Sequence, residues 1–213
     1  MRFADRREAG ELLGRAVAER NPIDPLVAAL PRGGVPTGFE VAKALECDLD
    51  VLVVRKVGVP YQVELAMGAV GERGVVVRNR EVMRAAGITE AAFQAVVAAE
   101  TAELEARVGI YREVAAPIEH AGRTVIVTDD GLATGSTALA AIDIARAGRA
   151  REVWVAVPVA PADSIRKVAK VADQVVVLQR PQRFMAVGAW YRDFSQTTND
   201  EVRDLLRRSR EGR

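Results

Sequence analysis

The stretch Val125-Ile-Val-Thr-Asp-Asp-Gly-Leu-Ala-Thr-Gly-Ser-Thr137 constrains this chain more than any other. A β-branched apolar run from Thr124 to Val127 leads into two carboxylates and a turn of small residues, and Ala138 to Ala147 continues as an Ala/Leu/Ile helix. Asp129 to Thr137 is therefore a strand-to-helix turn, and a fully apolar strand feeding a helix belongs in a parallel sheet covered on both faces. The turn also sits at a helix N-terminus. Unpaired amides and the positive end of the helix dipole favour an anion there, with Gly131 and Gly135 permitting close backbone approach and Thr134, Ser136 and Thr137 adding hydroxyls. A phosphate would repel Asp129 and Asp130. Their chemistry suits sugar hydroxyls or Mg²⁺, which takes one or two carboxylates and keeps several waters.

The rest of the chain alternates in the same way. Helix-like segments at 8–20, 35–45, 89–114 and 162–171 interleave with strand-like segments at 27–30, 50–54, 124–128, 152–157 and 174–178. The pattern predicts an α/β fold with an open, mostly parallel twisted sheet and helices on both faces. It divides into a core over 1–178 and a small C-terminal hood with a terminal helix over 179–213. Between Arg55 and Gly74 the pattern breaks: Gly58, Pro60, Gly68, Gly71 and Gly74 interrupt any helical period, which predicts a long mobile loop. Val75 to Val77 resumes strand character. Ligands of open α/β sheets bind beyond the carboxyl ends of the strands, so the loops after Leu30, Val54, Thr128 and Leu178 are expected to meet.

Composition narrows the function classes. At 213 residues the chain reads as one domain with elaborations, and a net charge of +1 gives no global attraction to nucleic acid or to a membrane. Any anion site must be local. No apolar run approaches the ~18 residues that span a bilayer, and Met1-Arg-Phe-Ala-Asp-Arg-Arg lacks a secretory core, so a cytoplasmic protein is expected. One cysteine, Cys47, and one histidine, His120, exclude intrachain disulfides, zinc clusters and Cys/His nucleophile pairs. His120, just before Gly122, reads as a loop residue. Lysine occurs only at positions 43, 56, 167 and 170 against many arginines, a bias shared by GC-rich genomes and hot habitats.

The Asp129 segment resembles the phosphoribosyl pyrophosphate motif of type I phosphoribosyltransferases. That resemblance implies that Asp129 and Asp130 bind the ribose 2′ and 3′ hydroxyls and Mg²⁺, that Gly131 and Leu132 continue the substrate-binding turn, and that Ala133, Thr134, Gly135, Ser136 and Thr137 cradle the 5′-phosphate. A Walker A loop fits worse, because Gly131 and Gly135 enclose three residues and Ser136 stands where the lysine belongs. Upstream, Leu30-Pro-Arg-Gly-Gly-Val resembles the family's pyrophosphate loop, with Arg32, Gly33 and Gly34 as contacts. Arg55 and Lys56, followed by Gly58 and Pro60, are similar to the Arg-Lys pair that opens the flexible catalytic loop of adenine phosphoribosyltransferases, and Glu64 takes a place like the loop glutamate near the base, which implies a general acid or base.

The closing segment gathers Phe184, Trp190, Tyr191 and Phe194 in a chain with 5% aromatics. It resembles the hood of hypoxanthine-guanine enzymes, which implies base stacking by Phe184 and Trp190; a core or dimer contact is the alternative. Ala133 stands where those enzymes carry an Asp general base, as it does in the adenine enzymes. The resemblance thus implies a Mg²⁺-dependent transferase of nucleotide metabolism. It would move ribose 5-phosphate from phosphoribosyl pyrophosphate to a nucleobase-like acceptor, with no membrane or nucleic-acid partner, as a homo-oligomer such as a homodimer. A non-catalytic phosphoribosyl pyrophosphate sensor and an interaction subunit remain open alternatives.

Overall fold

A computed structural model describes residues 2–211 of the chain. Its main sheet has five parallel strands: β1 (Pro25–Ala29), β2 (Asp48–Val51), β6 (Thr124–Thr128), β7 (Glu152–Val159) and β8 (Gln174–Gln179), in the order β2-β1-β6-β7-β8. Strand β1 lies between β2 and β6, with Ala29 level with Val51 on one side and Thr128 on the other. The pleat divides its side chains between two cores. Val27 and Ala29 join a cluster with Leu13 of α1 (Arg6–Ala18), Val35 and Val41 of α2 (Gly34–Ala44), and Val202 and Leu206 of α7 (Asn199–Glu211). Leu26 and Ala28 face the other way, onto Ala138, Ala141 and Ile142 of α5 (Ser136–Ala147) and Val168, the last residue of α6 (Ala162–Val168). Helices α1 and α2 pack closely because a Cβ at Gly10 would stand 2.7 Å from the Thr37 carbonyl and one at Gly14 2.7 Å from Ala44 Cβ.

The segment expected to be an irregular loop is an antiparallel hairpin. Strands β3 (Val54–Val59) and β4 (Gln62–Gly71) pair antiparallel through a turn at Pro60 and Tyr61, and β5 (Val75–Arg78) adds to β4, making a second sheet of three strands. The glycines that hide this pattern are packing residues. A Cβ at Gly58 would meet the Val63 carbonyl at 2.6 Å, one at Gly68 would press on the Val77 carbonyl and the Phe93 ring, and one at Gly71 would strike Ile144 at 2.7 Å. Each marks a close approach rather than a break in the strand. The register shifts around Gly58, where the hairpin is irregular.

A short helix that periodicity misses, α3 (Arg80–Ala85), begins on an Asn79 side-chain cap and leads to α4 (Glu90–Arg112), capped by Thr89. At its far end Arg112 ties the two sheets together. It donates to Asp50 at 2.6 Å and to both oxygens of Glu72 at 2.8 Å, with Asp50 almost completely buried. After β8 the chain makes a single 3₁₀ turn at Val187–Trp190, and Tyr191 forms a bridge to Phe3 before α7 returns to the main sheet. Among the described residues no helix is long and apolar enough to cross a membrane.

Candidate active site

The loops after β1, β2 and β6 open into one cavity of about 700 Å³, closed on its other side by the β3–β4 hairpin and α4. Asp129, Thr134, Ser136 and Thr137 line one wall, and Arg55 and Lys56 line the facing wall where β2 passes into β3. The Asp129 turn and the Arg55-Lys56 pair, far apart in sequence, thus share a cavity. Two further groups come from α4: Glu100, whose Oε2 accepts from Arg55 Nε at 2.7 Å, and Arg107. Sequence reading misses both. Val96, Glu100 and Arg107 repeat at helical spacing, but nothing local says which part of so long a helix faces a ligand.

The turn after β6 is held from below. Leu132 N–H donates to the Val159 carbonyl at 2.9 Å, Ser164 Oγ donates to the Ala133 carbonyl at 2.6 Å, and Gly131 packs where a Cβ would meet Val187 and Val159. Gly135, with φ +79°, is the left-handed residue that turns the chain into α5, and only glycine adopts this without strain. With the backbone fixed there, the hydroxyls of Thr134 and Ser136 lie 3.1 Å apart at the start of α5. The turn thus presents hydroxyls and helix N-terminal amides together, a combination whose chemistry suits an anion. Leu132, Gly131 and Ala133 shape this turn without lining the cavity themselves.

The acid pair is asymmetric. Asp129 faces the cavity, and its Oδ1 accepts from the Asp130 amide at 2.8 Å. Asp130 is buried, with Oδ2 paired to Arg6 Nε at 2.9 Å. Desolvation pushes both carboxyls above the ordinary range. For Asp129 the neighbouring Asp130 charge adds to the rise, whereas for Asp130 the Arg6 hydrogen bond and charge oppose it. Tyr191 Oη donates to the Asp130 carbonyl at 2.5 Å, and burial followed by the Asp130 charge raises its phenol above the usual value.

Other expected site residues stand elsewhere. Gly33 and Gly34 do not line the cavity: a Cβ at Gly33 would collide with the Asp130 carboxyl, and one at Gly34 would stand 2.7 Å from the Thr128 carbonyl. Their lack of a side chain serves the packing of the first loop on the acid pair. Arg32, which follows Pro31 through a cis peptide bond, is partly exposed off the cavity wall. Trp190 packs beside Phe3 and Tyr191 and borders a separate cleft with Arg2 and Arg183, while Phe184 lines neither space. Both aromatics expected to stack on a base thus stand away from the wall of this cavity. Glu64 lies in β4, and its side chain is outside the described residues.

The sequence pattern described as the phosphoribosyl transferase domain matches residues 6–191, a span that starts at Arg6 and ends at Tyr191. The chain belongs to that family. This phosphoribosyl transferase domain is 47% identical over 207 residues to two proteins of Mycobacterium tuberculosis, from strains CDC 1551 / Oshkosh and ATCC 25618 / H37Rv, provisionally named phosphoribosyl transferases. The match covers 97% of this chain but 47% of those proteins, so the chain spans about half the length of the curated relatives it matches. The crystal structure of TT1426 from Thermus thermophilus superposes with a TM-score of 0.93 at 41% identity, covering 98% of this chain and 99% of that one. A hypoxanthine-guanine phosphoribosyltransferase from Bacillus anthracis shares the fold, with a TM-score of 0.50 and 11% identity over 85% of this chain and 84% of that one.

Proposed function

We propose that the domain is a Mg²⁺-dependent cytoplasmic phosphoribosyltransferase, moving ribose 5-phosphate from phosphoribosyl pyrophosphate to a nitrogenous base and releasing pyrophosphate. The observation that carries this reading is the meeting in one cavity of Asp129, the Thr134–Thr137 cradle and the cations Arg55, Lys56 and Arg107. A 5′-phosphate suits the hydroxyls and amides at the start of α5, which puts the ribose diol beside the acids. Rupture of the C1–oxygen bond leaves its electron pair on pyrophosphate and positive charge on the sugar. Arg55 and Lys56 meet the growing charge of the leaving group, while the acceptor nitrogen bonds to C1 and gives up its proton.

Two carboxylates fit Mg²⁺ better than a metal requiring an all-protein cage, because Mg²⁺ completes its shell with water and substrate phosphate. Asp129 and Asp130 would hold it, and its charge would further neutralise the leaving pyrophosphate. The test is pyrophosphate release from phosphoribosyl pyrophosphate and Mg²⁺ with a panel of purine and pyrimidine bases. Release dependent on a base supports the transferase. Tight binding without release on any base assigns a sensor instead.

A further inference from the structure

We infer that Arg6 is the positioning residue of the acid pair and that the segment Tyr191–Ser195 holds it in place. This rests on the proposed reading for its ligand but not for its geometry. Asp129 and Asp130 are adjacent acids with little water, and their mutual repulsion must be offset if both are to act. Among the described residues the ion pairs place one cation on them, Arg6, whose Nε lies 2.9 Å from Asp130 Oδ2, with each side chain 12% exposed. The guanidinium is itself fixed on two more sides. Its Nη1 donates to the Ser195 carbonyl at 2.7 Å, and its Cζ lies 3.9 Å from the centroid of the Phe194 ring.

The main chain of Asp130 is tied down by the same segment, through Tyr191 Oη on its carbonyl. Phe194 in turn packs on Tyr191, with ring centroids 5.1 Å apart. The start of the substrate turn is thus gripped from two sides by residues distant in sequence: α1 supplies the charge and the chain after β8 supplies the holder. One oxygen of each acid is committed within the protein, Asp129 Oδ1 to the Asp130 amide and Asp130 Oδ2 to Arg6. Asp129, which lines the cavity, keeps its second oxygen to offer to a sugar hydroxyl, and Asp130 is the buried partner that Arg6 fixes beside it. Arg6 would set that pairing without touching the ligand, in the way buried neighbours orient first contacts elsewhere.

The experiment compares wild type with Arg6→Gln, which removes the charge, and Arg6→Lys, which keeps it. Amide exchange of the unliganded proteins is read across 129–135, and calorimetry measures phosphoribosyl pyrophosphate and inorganic pyrophosphate, which has no ribose. Arg6→Gln should speed exchange across the turn while β7 stays protected, and should weaken phosphoribosyl pyrophosphate at least tenfold with pyrophosphate changed less than twofold. Arg6→Lys should recover part of that loss. Should Arg6→Gln not fold, Phe194→Leu, a partly exposed site, should give the same pattern at smaller size. Unchanged exchange at 129–135, or equal weakening of both ligands, overturns the inference. A wild type that binds no phosphoribosyl pyrophosphate would sink the proposed function instead, with exchange alone then deciding the part of Arg6.

Discussion

Replacing Gly33 or Gly34 by Ala sets two opposed effects against each other. Gly33 has φ −60° and ψ −32°, which Ala adopts without strain, so restricting the unfolded chain favours Gly33→Ala by about 0.4–1 kcal/mol. Against that, the new methyl would stand 2.9 Å from Asp130 Cγ and closer still to Oδ2. The carboxylate must rotate away and release Arg6, forfeiting a charged hydrogen bond of about 1.5–3 kcal/mol. The second effect wins, for a net loss of about 1–2 kcal/mol. At Gly34 the methyl would meet backbone, the Thr128 carbonyl at 2.7 Å and Asp129 Cα at 2.9 Å, which no side-chain rotation relieves. Gly34→Ala should therefore reach or exceed the upper end of the ~1–3 kcal/mol cost of overpacking. Urea unfolding with unchanged slope should rank wild type above Gly33→Ala and Gly33→Ala above Gly34→Ala. A Gly34→Ala variant as stable as wild type would refute the claim that these glycines exist for contact with the acid pair.

Arg112→Met should cost about 3–5 kcal/mol by urea unfolding, because it strands the buried Asp50 carboxylate beside Glu72; a loss under ~1 kcal/mol would show that the network is not what joins the sheets. On the proposed mechanism Lys56→Ala, at a residue that lines the cavity, should lower kcat far more than it raises KM, because the charge it meets grows as pyrophosphate leaves. A raised KM with normal kcat would place its contribution in ground-state binding. Burial lowers the pKa of His120 below 6.5, so the folded chain binds the proton less well than the unfolded chain. Stability from this group is present above pH 6.5 and is lost as pH falls through the lowered folded value. The wild-type stability curve should therefore drop more between pH 7 and 5 than that of His120→Gln, and parallel curves would contradict this.

Much of this molecule is legible from periodicity and one turn. The strand 124–128, the helix after Ser136 and the order of alternating elements follow from apolar spacing, and the family resemblance follows from the two acids ahead of Gly131. What escapes shares one cause: contact between residues far apart in sequence. The hairpin reads as a loop because Gly68 and Gly71 look like breaks until Phe93 and Ile144 are seen pressed against them. Gly33 and Gly34 read as ligand contacts because no local signal reveals the Asp130 side chain and Thr128 carbonyl beside them. Arg6, Glu100 and Arg107 belong to no motif; only the packing of α1 and α4 brings them to the site. Aromatic content points to a base at Phe184 and Trp190, yet Trp190 serves a small cluster with Phe3 and Tyr191.

The central claim, that Asp129 and the turn to Thr137 form a phosphoribosyl pyrophosphate site, is tested most directly by calorimetry with that ligand and Mg²⁺ on wild type and on Asp129→Asn/Asp130→Asn. Wild type should bind, and the double variant should bind more than tenfold more weakly, a loss above about 1.4 kcal/mol, while keeping its fold. Equal affinity in the two proteins, or no binding by a folded wild type, would contradict it.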